Sequence, residues 1–122
     1  MVELALILPI FLLLTVAAIE FGRAYMVQQV LTYAAREGAR HGVLPGVSNT
    51  QVQARIAQAL EMGGIDPGVA EITLNPDHLD TATTGTPVHV RIRVHYLDVT
   101  WVPAPWFLSQ ARLSSETVMR HE

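Results

Sequence analysis

The sequence predicts an α+β protein: a long N-terminal hydrophobic helix, then a short second helix packed on a small antiparallel sheet of about three strands. Three observations carry that prediction. Residues 4–19 hold no charge, and only Pro9 and Thr15 interrupt their run of aliphatic, alanine and phenylalanine side chains. Apolar residues then continue at steps of three, four or seven: Phe21, Ala24, Val27, Leu31, Ala34, Ala35 and Gly38. Late in the chain, Val88, Val90, Ile92, Val94 and Tyr96 alternate with His89, Arg91, Arg93 and His95. The first pattern is an apolar run of membrane-crossing length, the second has the period of an amphipathic helix, and the third that of a half-buried strand.

The apolar run is the first element. Its 16 residues span about 24 Å as a helix, and residues 1–22 span about 33 Å, against a hydrocarbon core of about 30 Å. Glu3 and Glu20 then stand near the two edges of the hydrocarbon. The run is long for a secretory signal core, and no small-x-small cleavage site follows Ala17-Ala18. Residues 1–22 are therefore expected to form a transmembrane or filament-core segment, and residues 23–122 an α+β head that includes the amphipathic half of the same helix. Pro9 lacks a backbone donor and is expected to kink the first turns.

One continuous helix is expected over residues 3–41, ended by Gly42 and then Pro45-Gly46. Arg23, Gln29, Arg36, Glu37 and Arg40 fall largely on faces other than the apolar stripe. Ser48 and Gln51 have the spacing of a capping box. They open a helix over residues 49–62, with Val52, Ile56, Ala59 and Leu60 on one face and Gly63-Gly64 as the stop. Asp66-Pro67-Gly68 is a turn. A short strand carries Ile72 and Leu74, and residues 77–86 read as a polar loop. The alternating strand over residues 88–96 follows, then a proline-interrupted aromatic loop over 101–107. A final strand puts Ala111, Leu113, Ser115, Thr117 and Met119 on one face.

Composition excludes several function classes. The 122 residues include eight arginines, no lysine, eleven acids and no cysteine, for a net charge of −3. Without cysteine there is no disulfide, thiol nucleophile or thiolate zinc site. Beyond residue 22 the eight arginines face nine acids, so no basic field favours nucleic acid. Catalytic signatures such as G-x-S-x-G, H-E-x-x-H or a phosphate-cradling glycine loop are missing. Neither an enzyme nor a cofactor is expected.

Five groups of residues are candidate sites. Glu20 and Arg23, at i and i+3, read as a helix-surface ion pair worth roughly 0.2–0.5 kcal/mol, or else as a contact between subunits. Trp101, Trp106 and Phe107 either close the core or meet a partner subunit. Asn75, Asp77 and Asp80 are a weak calcium candidate without the calcium-loop signature. The His89–His95 strand face reads as a solvated surface paired with acids such as Glu71 or Glu116, its two histidines too far apart to share a metal. Ala34, Ala35, Gly38 and Gly42 form a small-residue stripe suited to close packing inside the subunit.

Val2-Glu3-Leu4-Ala5-Leu6, Pro9 and the leucine run, Glu20-Phe21-Gly22-Arg23-Ala24, and Ala35-Arg36-Glu37-Gly38-Ala39-Arg40 together resemble the TadE-like family. These are minor pilins or pseudopilins of the tight-adherence (Flp) pilus, a branch of the type IV pilus machinery. Ser115-Glu116-Thr117-Val118-Met119-Arg120 supports the resemblance at the other end. It implies a pilin-like stalk and a structural role in pilus assembly and surface attachment. The implied partners are other pilin subunits, the inner-membrane assembly platform, membrane lipid and, if the chain is processed, a prepilin peptidase. The resemblance implies an inner-membrane protein with an exported head, placed on the cell surface once polymerised. The family's carboxylate near the mature N-terminus maps onto Glu3, where it would pair with a neighbouring subunit's amino terminus. A lone carboxylate in hydrocarbon costs several kcal/mol and needs a cationic partner or a proton. Glu3, Pro9, Glu20 and Arg23 are thus the expected assembly residues. Arginines that only follow the apolar run favour a cytoplasmic head by the positive-inside rule, and a basic leader ahead of the run would reverse that orientation. The competing expectation is a single-span anchor whose periplasmic head binds a small ligand or ion and never polymerises.

Overall fold

A computed structural model describes residues 1–75, 85–95 and 112–120. Helix α1 (Val2–Gly42) is continuous through Pro9, and α2 (Asn49–Met62) follows after a short turn. Strands β1 (Ala70–Asn75), β2 (Pro87–His95) and β3 (Arg112–Arg120) form an antiparallel sheet in the order β1-β2-β3. The predicted α+β architecture is the one found.

Local chemistry explains the boundaries. At the end of α1 the Val43 N–H donates to the Ala39 carbonyl (3.1 Å) and the Leu44 N–H to the His41 carbonyl (3.2 Å), and Gly46 then adopts a positive φ of 76°. The capping box at Ser48 is formed in both directions: its hydroxyl accepts from the Gln51 N–H, and the Gln51 side chain accepts from the Ser48 N–H at 3.0 Å. Asp66 caps a 3₁₀ turn (Pro67–Val69) by accepting from the Gly68 N–H at 2.9 Å, where the sequence predicts a turn.

In the sheet, Leu74 pairs with Val90 and Val90 with Thr117, while Ala70 pairs with Val94 and Val94 with Leu113. Val88, Val90, Ile92 and Val94 all face inward, as their alternation predicts. On β3, Leu113, Ser115, Thr117 and Met119 are half-buried and their neighbours from Ser114 to Arg120 exposed, again the predicted face.

The head-side half of α1 lies across this inner face, with α2 packed against α1 beside it. The shared core joins Val27, Leu31, Ala34 and Ala35 of α1, Val52, Ile56 and Leu60 of α2, and the four β2 residues. Gly38 belongs to this packing: a methyl group there would meet Ile56 Cγ1 at 2.5 Å and Val90 at 3.5 Å. The small-residue stripe is therefore used within the subunit. Two side-chain bonds tie α1 to β3, from Gln28 Nε2 to the Ser114 carbonyl (2.8 Å) and from the Ser115 hydroxyl to Thr32 Oγ1 (3.4 Å).

Candidate assembly surface

The first five turns of α1 leave the rest of the molecule. Among residues 1–19 only Ala17 is half-buried, and every leucine, isoleucine and phenylalanine there is exposed. Leu, Ala, Ile and Phe keep the segment helical, and Thr15 satisfies its hydroxyl by donating to the Phe11 carbonyl at 2.8 Å. This is a helix long and apolar enough to cross a membrane, and none of its apolar window is buried among the described residues. Glu3 lies in the first turn, where the helix dipole favours negative charge.

Where the stalk meets the head, the structure corrects the surface-pair expectation. Glu20 is 0% exposed and Arg23 8% exposed. Each engages a partner rather than standing alone. They open the buried stripe that continues through Val27, Leu31, Ala34 and Gly38. Phe21, expected on that stripe, is instead 62% exposed. The physical reason is the helical repeat: counting back seven residues from Val27 reaches position 20, not 21. The charged pair thus occupies the core line and the aromatic ring the outer face, and Arg23 is not on an outer face.

An unanticipated apolar groove runs between α1 and α2. Met26, Val30 and Tyr33 form one wall and Ala59, Met62 and Gly63 the other, enclosing about 380 Å³. Met62 is 77% and Tyr33 55% exposed. The floor is tight, since a methyl group on Gly63 would lie 2.3 Å from Val30 Cγ1. One end of the helix pair is fastened by Arg55, which donates to Glu37 Oε1 from Nε (3.1 Å) and Nη2 (2.9 Å). The seven-residue step between Met26 and Tyr33 marks one wall in the sequence, whereas the other wall depends on where α2 lies.

The outer face of the sheet is polar, as predicted. Arg91 holds Glu116 through Nη2 at 2.7 Å and Nε at 3.2 Å, and His89 lies 3.4 Å from the other carboxylate oxygen. The Arg91 hydrogen bond, aided by His89, holds the Glu116 carboxyl below its ordinary value of 4.5. Among the described residues no cluster of three or more His, Asp or Glu is placed to hold a metal ion. Asn75 is exposed at the end of β1, and its proposed companions Asp77 and Asp80 lie outside the described residues. Trp101, Trp106 and Phe107 also lie outside them.

Residues 1–40 match the TadE-like protein family. The match covers about a third of the chain and almost all of α1, from the exposed stalk through the buried Glu20 and Arg23 to Ala39. No curated protein and no solved structure matches the chain. The TadE-like family is structural and pilus-associated. The match and the exposed apolar helix together fit a membrane-anchored protein associated with the tight-adherence pilus.

Proposed function

We propose that this chain is a pilin-like structural subunit of a tight-adherence pilus, held in the inner membrane by its stalk until assembly and then packed through that stalk against neighbouring subunits. The observation that carries the proposal is a helix in the TadE-like match whose first five turns leave every leucine, isoleucine and phenylalanine exposed. Such a surface needs either lipid or other apolar helices. Residues 1–22 serve as the anchor or filament-core segment, and the remainder as an exported head that contributes to surface attachment. The other subunits, the assembly platform and a prepilin peptidase are its partners, and membrane lipid solvates the stalk before polymerisation.

Glu3 separates assembly from anchoring. In an assembled stalk its carboxylate pairs with an amino terminus of another subunit, which relieves the cost of burying either charge alone and fixes axial register. A plain anchor tolerates an apolar side chain at this position. Hydrogen bonds to charged groups are worth about 1.5–3 kcal/mol, so losing this one lowers incorporation about tenfold or more. The test compares wild-type, Glu3→Gln and Glu3→Leu chains in sheared surface filaments and in membranes. The expected result is loss from the filaments at unchanged membrane abundance. Equal incorporation of Glu3→Leu contradicts the assembly role and leaves a static anchor.

A further inference from the structure

Leu12, Ile19, Met26 and Tyr33 follow one another at steps of seven, and Leu8, Thr15, Gly22 and Gln29 repeat with the same step between them. All eight are exposed. The 3.5-residue spacing is that of a seam along which one helix packs on another. No charged residue falls on it. The only charged residues between Leu4 and Tyr33 are Glu20 and Arg23, and both are buried, Arg23 at the edge of the seam one turn after Ile19. The seam begins in the stalk and ends in the α1–α2 groove, where Met62 adds a second apolar wall.

We propose that the α1–α2 groove seats the stalk of a second copy of this chain. Three observations select that occupant. The groove continues, on the same helix face, the surface that the stalk itself presents, so one uncharged strip of about 38 Å runs over residues 8–33. Lipid does not reach its far end. With the helix along the membrane normal, the groove centre near Val30 stands about 12 Å beyond Gly22, past a headgroup layer of about 5–8 Å. Finally, the chain carries an apolar helix of matching character whose large apolar side chains stand exposed among the described residues. Seating the middle of one stalk at Val30 of another subunit shifts the two copies by about 27 Å along the helix axis. The contact is then heterologous, stalk on groove rather than groove on groove, and such contacts propagate as open filaments. This inference rests on the polymerising role proposed above and names where one subunit meets the next.

The natural absence of cysteine makes disulfide mapping direct. Full-length chains carrying Met62→Cys are co-produced with chains carrying one cysteine at Leu4, Leu8, Leu12 or Thr15, in cells that assemble filaments. Oxidation joins pairs whose Cα atoms come within about 4.4–6.8 Å. The expected result is a mixed dimer that peaks at one stalk position and exceeds by about tenfold the yield from Gln53→Cys, on the exposed side of α2, with the same stalk variants. Tyr33→Cys, on the groove's other wall, should give its maximum at the same stalk position or one helical turn away. Three results overturn the proposal: filaments with stalk–stalk but no stalk–groove adducts, Met62→Cys self-dimers as the main product, or adducts to a different protein. The first leaves the pilin-like role standing. Absence of filaments and of every adduct removes that role and the groove contact together.

Discussion

Glu20 and Arg23 show how one helical step changes a residue's meaning. Exposed ion pairs contribute little. Buried and engaged, as here, each leaves a partner group uncompensated when removed. Glu20→Ala should therefore lower the stability of the head by on the order of 3 kcal/mol, measured by chemical unfolding in detergent. A change below about 0.5 kcal/mol would return the pair to the surface category. Glu116 behaves differently, because it is exposed. Its carboxyl is held below 4.5 in the folded state by Arg91 and then His89, so its contribution is complete above the unfolded-state value. That contribution is lost as pH falls through the depressed folded value. Glu116→Gln should remove a small part of the acid dependence of stability below pH 4.5 and change nothing at neutral pH beyond a screened surface contact. A pH series of melting temperatures for the two proteins checks this.

Helix boundaries were readable from the sequence because caps and periodicity agree. The expected span of residues 3–41 became Val2–Gly42, and α2 took the range that Ser48, Gln51 and Gly63 define. Ser48→Ala, which removes half of that capping box, should cost about 1 kcal/mol. The sheet was readable for a similar reason, since inward valines and isoleucine alternate with charges whose partner, Glu116, falls opposite Arg91. The face of the junction was not readable by hydropathy alone. Phe21 is the more apolar choice, and helical geometry places position 20 in line with Val27 instead. The groove escaped for another reason: it exists only where α2 lies beside α1, a tertiary fact. Gly38 measures how closely the layers approach. Gly38→Ala puts a methyl 2.5 Å from Ile56 Cγ1 and should cost about 1–3 kcal/mol by overpacking. Pairing it with Ile56→Val, which shortens the clashing side chain, should recover part of that loss in a double-mutant unfolding series.

At the scale of the whole molecule, two solvents meet along one helix. The head half of α1 is covered by its own sheet and α2, while among the described residues nothing covers the apolar side chains of the stalk half. The family match over residues 1–40 spans both halves, the stalk and the buried stripe that docks the head. Under the proposed role, membrane and filament are alternative coverings of the stalk surface. The most direct measurement is the distribution of the full-length chain between membranes and sheared surface filaments, with intact mass and N-terminal sequencing of each pool. Assembly predicts chain in the filaments, carrying a free or methylated amine a few residues ahead of the Glu3 carboxylate. A chain confined to the membrane, with none in the filaments, would contradict it.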